Sequence, residues 1–268
     1  MSLPEPYVRE AGTGLGVVCL HSNASTSGQW RGLIDRLAPG LHVLAPDSYD
    51  SGKSPQWPSD RIISLADEVS LIEPVLARAG SPLALVGHSY GAAIALIAAL
   101  ANPRGVRAIA LYEPTLFALI EAEGPAPNDA DGIRNAVAKA AIALDAGDQD
   151  AAARHFIDYW MGEGSWQATP EARKQPIAAS VTNVRRWAHA LMREPTPLTA
   201  FRSLDVPLLY MTGKRSTRSA HGVARLLISV LPNVEVVEFE HLGHMGPITH
   251  PEVVNEAIAG FLNRALRS

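Results

Sequence analysis

Short apolar runs and helical stretches alternate along most of this chain. Residues 17–20, 41–45, 83–86, 106–112, 207–212 and 234–239 read as strands, and between them 28–37, 65–79, 90–101, 220–231 and 252–266 carry helical patterns. Such alternation predicts an α/β fold: a mostly parallel sheet flanked by helices on both faces and joined by right-handed crossovers. A further strand is expected near residues 7–10, joined to Val17 by a hairpin turn at Gly12-Thr13-Gly14-Leu15-Gly16. That glycine run precedes a strand and ends in no Lys-Ser or Lys-Thr pair, so it does not read as a phosphate loop.

The alternation breaks between residues 115 and 200. This segment holds no convincing strand, but shows helical patterns at 132–146, 151–161 and 171–193, set apart by turns bearing Gly and Pro. A helical segment between two sheet strands predicts a cap lying over the sheet edge. The chain then divides into a core of 1–114 and 201–268 and a cap of 115–200, with Gly124-Pro125-Ala126-Pro127-Asn128-Asp129 as a flexible connection within the cap.

The chemistry begins at the third internal strand. Leu83-Ala84-Leu85-Val86 runs straight into Gly87-His88-Ser89-Tyr90-Gly91, and then into Ala92-Ala93-Ile94-Ala95-Leu96-Ile97-Ala98-Ala99-Leu100. The last stretch is strong helix former, apolar nearly all round, and predicts a buried helix. A G-x-S-x-G pentapeptide between a buried strand and a buried helix is a nucleophile elbow: Ser89 sits on a strained turn, and side chains at Gly87 or Gly91 would collide with the neighbouring elements.

Composition narrows the classes of function. At 268 residues, with 47% hydrophobic and 19% charged residues, the chain can bury a substantial core. A net charge of −4 gives no reason to expect nucleic acid or an anionic membrane as partner. One cysteine, Cys19, rules out an intrachain disulfide and suits a cytoplasmic setting; in its apolar run it reads as a small buried hydrophobe. No basic segment followed by an apolar one opens the sequence, and no stretch approaches the roughly 20 apolar residues that span a bilayer, so neither secretion nor membrane insertion is expected.

Further segments carry a family resemblance: His21-Ser22-Asn23 after the first internal strand, the loop Pro46-Asp47-Ser48-Tyr49-Asp50-Ser51-Gly52-Lys53-Ser54, and Gly243-His244-Met245. With Gly87–Gly91 they make the chain resemble the α/β-hydrolase superfamily over essentially its whole length. Within it, the chain is similar to capped serine hydrolases with a Leu-Tyr-Glu-Pro motif after the sixth strand, here Leu111-Tyr112-Glu113-Pro114. The resemblance implies an α/β-hydrolase fold with a helical cap inserted after that strand.

A serine nucleophile needs an imidazole to take its proton. Among nine histidines, His244 lies in a glycine-rich loop after the last predicted strand and satisfies the superfamily's order of nucleophile, acid, histidine; His241 is the near competitor without the glycine setting. Most relatives hold their acid after the penultimate strand, but here Thr212-Gly213-Lys214-Arg215-Ser216-Thr217-Arg218 contains no carboxylate, and Ser216 stands at the expected position. Glu113, one strand earlier, is the candidate acid. Its alternative role is an ion pair or helix cap at the entrance to the cap.

For the oxyanion, the backbone N–H of Tyr90 is one donor. By resemblance Asn23 supplies the second, although Ser22 and Asp50 stand where the family usually has glycine. Asp50 is expected to tolerate an unusual backbone angle, and residues 47–54 are assigned to scaffold. Phe117, Phe156, Tyr159, Trp160, Trp166 and Trp187 make the cap rich in aromatics and suggest a small or medium apolar substrate.

No His-x-x-x-His, cysteine cluster or Asp-rich loop suggests a metal, and no cofactor is implied. The expected function is carboxylic ester hydrolysis of a small molecule through Ser89, His244 and Glu113. The alternatives are carbon–carbon bond hydrolysis in a ketone or perhydrolase activity on the same residues, and a ligand-binding protein with a degenerate pocket. Oligomeric state is not legible.

Overall fold

The computed structural model describes residues 4–267. In chain order, strands β1 (Val8–Ala11), β2 (Leu15–Leu20) and β3 (Leu41–Pro46) are followed by β4 (Leu83–His88), β5 (Val106–Tyr112), β6 (Leu208–Gly213) and β7 (Val234–Phe239). They form one seven-stranded sheet of order β1-β3-β2-β4-β5-β6-β7, parallel throughout except for β1, which runs antiparallel to β3. Helices α1 (Arg31–Leu37), α2 (Leu65–Ala79) and α3 (Tyr90–Ala101) belong to the first half of the sheet. The segment between β5 and β6 forms α4 (Ala118–Glu123), α5 (Asp131–Asp145), α6 (Gln149–Met161), α7 (Ser165–Ala168), α8 (Glu171–Val181) and α9 (Val184–Met192). Then come α10 (Arg218–Ile228), α11 (Gly246–Thr249) and α12 (Pro251–Ala265). No helix among the described residues is long and apolar enough to cross a membrane.

Successive side chains of a strand point to opposite faces, and here each face builds its own core. Val17, Cys19, Val43, Ala84, Val86 and Ala108 pack with Trp30, Leu33 and Leu37 around α1, and with Val254, Ile258 and Phe261 of α12. Val18, Leu20, Leu44, Leu85, Ile109 and Leu111 pack against α2, α3 and α10. Apolar side chains on both faces explain why these strands are continuous apolar runs in the sequence. The second core continues into the insertion through Phe117, Ile133, Phe156, Trp160 and Trp187.

Three expectations are corrected. The turn at residues 12–16 is not a hairpin, because β1 pairs with β3 and not with β2. Its glycines answer to a backbone neighbour instead: a Cβ at Gly12, where φ is +82°, would stand 2.1 Å from the Leu41 carbonyl oxygen. The helical pattern at 171–193 is two helices, α8 and α9, with a turn at Thr182 and Asn183. The strand preceding the insertion is the fifth along this chain and not the sixth, since one strand, β1, precedes β2 among the described residues.

Strand order reverses between β2 and β4: the chain passes from β2 outward to β3, then crosses back to β4. In open α/β sheets, the crevice beyond the carboxyl ends of such strands is where ligands bind. Leu20 is paired with Gly87, so the segments after β2 and β4 leave the sheet side by side.

Candidate active site

Ser89 links β4 to α3 with φ +56° and ψ −116°, a conformation costing a non-glycine residue about 1–3 kcal/mol. The flanking glycines permit it. A Cβ on Gly87 would lie 2.5 Å from Ala92 Cα, and one on Gly91 would lie 2.3 Å from the Leu20 carbonyl oxygen. The turn is fixed from the side by the Ser89 N–H, which donates to the Tyr112 carbonyl at 2.9 Å.

The structure brings Ser89, His244 and Glu113 together. His244 Nε2 is 2.9 Å from Ser89 Oγ, and His244 Nδ1 is 2.7 Å from Glu113 Oε2. All three are buried. A carboxylate only accepts, so Nδ1 carries the proton and Nε2 is left to accept from the serine hydroxyl. The loop bearing His244 is shaped by Tyr112, whose hydroxyl donates to the Gly243 carbonyl at 2.8 Å and stands 2.3 Å from where a Cβ on Gly246 would be. His241 is exposed.

Glu113 follows β5 with φ +45°. Its Oε1 accepts from Thr212 Oγ1 at 2.8 Å, the Gly213 N–H at 2.7 Å and Ser216 Oγ at 2.6 Å. The loop lacking a carboxylate is therefore a set of donors for one that comes from the neighbouring strand, and Ser216 is among them. Burial works to raise the Glu113 carboxyl. His244, Ser216 and the Gly213 N–H outweigh it and hold the carboxyl below the usual carboxylate range.

Tyr90 is the first residue of α3, so its N–H is one of the amides a helix leaves without an internal partner. Asn23, on the segment after β2, lines the same cavity as Ser89. Ser22 is buried, and both its N–H and its hydroxyl donate to Gln29 Oε1 at 3.1 Å. With Oε1 so occupied, Gln29 Nε2 donates to His88 Nδ1 at 3.1 Å, and His88 Nε2–H donates to the His244 carbonyl at 2.8 Å. One ordered chain thus ties the Asn23 segment to the His244 loop. Burial foremost, and His244 beside it, drive His88 far below the ordinary histidine value, so it stays neutral. In the Asp47–Ser54 segment, expected to be scaffold, Asp47 accepts from the Ser27 and Lys53 N–H groups at 2.6 and 3.0 Å and Asp50 has φ +55°; Asp50, Ser51, Gly52 and Ser54 also line the cavity of Ser89.

Glu68 of α2 lies behind Tyr90. It is buried, accepts from the Tyr90 hydroxyl and the Tyr49 N–H, both at 3.2 Å, and is pushed by burial up to about 8. The folded chain holds this proton where the unfolded chain releases it, so stability falls as pH climbs from about 4.5 to 8. Glu68→Gln has no proton to lose. Its melting temperature, relative to wild type, is expected to rise steadily across that window in differential scanning calorimetry; a constant difference contradicts the assignment.

A cavity of about 1480 Å³ opens on Ser89 and His244. Phe117, Phe156, Trp160, Trp187 and Leu191 give it apolar walls, while Thr169, Arg173, Ser180, Thr182 and Asn183 from the α7–α9 region give it polar ones. The Trp160 ring stacks on the His244 imidazole, with centroids 3.9 Å apart and planes at 25°. Gln29, Thr212, the positions of His88 and Ser216 in these networks, and the Trp160 contact had no signal in local sequence, since each depends on a partner distant in the chain. Among the described residues, no group of three or more His, Cys, Asp or Glu is placed to hold a metal ion.

Comparison with known proteins places these residues in context. The alpha/beta hydrolase fold family matches residues 17–251. Lipase LipV of Mycobacterium tuberculosis is 33% identical over 101 residues, 37% of each chain. A pimeloyl-[acyl-carrier protein] methyl ester esterase of Yersinia pseudotuberculosis is 25% identical over 251 residues, 91% of this chain and 92% of its own. The crystal structure of an alpha/beta hydrolase from Sphaerobacter thermophilus superposes with a TM-score of 0.74 at 24% identity, covering 96% of this chain and 95% of that one.

Proposed function

Since the chain belongs to the alpha/beta hydrolase fold family and is a hydrolase, we propose that it cleaves a small or medium carboxylic ester through an acyl-enzyme on Ser89. The hydrogen-bonded series Ser89 Oγ, His244 Nε2, His244 Nδ1 and Glu113 Oε2 carries this reading. His244 takes the serine proton as Oγ attacks the ester carbonyl, and Glu113 balances the imidazolium. The tetrahedral oxyanion meets the N–H groups of Tyr90 and Asn23. Collapse expels the alcohol, which takes the proton from His244; water then repeats the sequence and releases the acid. Ester hydrolysis in the names of the relatives agrees with this reaction.

We assign residues 115–200 as a cap whose rings (Phe117, Phe156, Trp160 and Trp187) hold an apolar part of the substrate. Buried Cys19, whose thiol burial pushes upward, fits a reducing cytoplasmic setting. The carboxylate at Glu113 and its three donors speak against a degenerate binding protein, a reading motivated by the bare loop 212–218.

The test is intact-mass analysis after incubation with a fluorophosphonate. One adduct, mapped by peptide sequencing to Ser89, is the expected result, followed by turnover in a panel of short and medium acyl esters. Folded protein that takes no adduct overturns the proposal, and labelling without ester turnover redirects it to a ketone panel.

A further inference from the structure

We propose that Trp160, delivered by α6, is a positioning residue for His244 that also stabilises its protonated ring electrostatically. The inference rests on His244 being the base, as proposed above. Both edges of the imidazole are committed, Nδ1 to Glu113 and Nε2 to Ser89. One face lies under the Trp160 indole at 3.9 Å, with planes at 25°. The His88 ring is tilted against it at 5.3 Å. The ring therefore has fixed neighbours both along its edges and on a face.

Trp160 is itself anchored. Phe117 stacks on it at 6.3 Å, and Phe156 and Tyr159 meet it edgewise at 6.4 and 4.9 Å. The Tyr159 hydroxyl, one residue away, is 2.6 Å from Ser219 Oγ on α10, and Ser219 is fully buried. This joins α6 to the core beside the site, so the indole is held where the imidazole needs it.

An indole presents negative charge on its face, and a cation held there is stabilised by an amount equivalent to about 2- to 30-fold in an equilibrium, most when water is excluded. Trp160 and His244 are both buried. An imidazole that takes the serine proton becomes cationic as the serine attacks, so the face contact strengthens when charge develops. A merely structural tryptophan would fill space without responding to that charge.

The titratable groups facing the ring are Glu113 from the end of β5 and His88 from β4, with the Tyr112 hydroxyl on the Gly243 carbonyl. Changing only the electron density of the indole leaves all three in place. Site-specific incorporation at position 160 of mono-, di- and trifluorotryptophan does this with little change of shape. Two readouts follow each protein across pH: the rate of fluorophosphonate labelling, and the titration of the His244 ring by ¹⁵N nuclear magnetic resonance, assigned with His244→Gln. The expected result is a stepwise move of both midpoints to lower pH with each fluorine, about half a unit to one unit in all. Trp160→Phe should fall between wild type and Trp160→Leu in kcat, with Leu about tenfold down.

Midpoints that ignore the fluorine count overturn the proposal, and the fluorinated series serves even if Trp160→Leu fails to fold. A protein that is never labelled refutes the acyl-transfer reading instead, while the resonance titration still decides whether Trp160 responds to the charge on His244.

Discussion

Replacing Ser89 by alanine is expected to lower kcat by about 10⁶-fold, leaving only what binding and oxyanion donors achieve with water. The loss is this large because His244 Nε2 faces Ser89 Oγ at 2.9 Å, and alanine offers no hydroxyl in its place. The fold should survive, since the turn is held by the Ser89 N–H on Tyr112 and by Gly87 and Gly91. Alanine keeps the positive φ of 56° and the strain that the serine already bears, so the melting temperature is expected to change little on that account. Ester hydrolysis by purified Ser89→Ala, with circular dichroism alongside, checks this. Activity within about tenfold of wild type would remove Ser89 from the reaction.

Glu113→Gln is expected to lower kcat by about 10⁴-fold with the fold intact. The reason lies in the donors around the carboxylate. Thr212 Oγ1, the Gly213 N–H and Ser216 Oγ all converge on Oε1. A glutamine at 113 must keep its carbonyl oxygen there, because turning its amide nitrogen toward three donors would leave buried groups unsatisfied. The amide NH₂ then faces His244 Nδ1 and forces that nitrogen to accept, so the proton moves to Nε2. The ring then presents an N–H to Ser89 and has no lone pair for its proton. Loss of the negative charge removes the balance for the imidazolium as well. Turnover measured over the plateau of the pH profile decides the matter, and a rate near wild type would return Glu113 to a purely structural role.

What the sequence made legible divides by the range of the interaction. Strands β2, β4 and β5 could be read because residues buried on both faces make long apolar runs, interrupted in β5 by the half-buried Arg107. The elbow could be read because two close backbone approaches, at Gly87 and Gly91, exclude side chains at fixed spacing. The partner of β1 could not. Local pattern says that residues 8–11 are extended but not which edge they join, and the actual partner is β3. The break at Thr182 and Asn183 carries neither glycine nor proline, so α8 and α9 looked continuous. Glu113 emerged from an absence, the lack of a carboxylate at 212–218. That Ser216 and Thr212 serve it is a contact across about 100 positions, which no periodicity encodes. Trp160 was visible as one aromatic of several; its place on His244 depends on how α6 sits against the core.

The position of Glu113 along the chain has a consequence for how such a protein can be altered. The residue directly follows β5, on the core side of the junction and two positions before Thr115. Exchanging residues 115–200 for the equivalent segment of a relative would leave Ser89, His244 and Glu113 untouched, as in a machine with a replaceable head. Trp160, however, travels with the head. On the function and the role of Trp160 proposed above, a graft made to change which ester is selected would also replace the ring stacked on His244, and choice of substrate and strength of the base would be inherited as one unit.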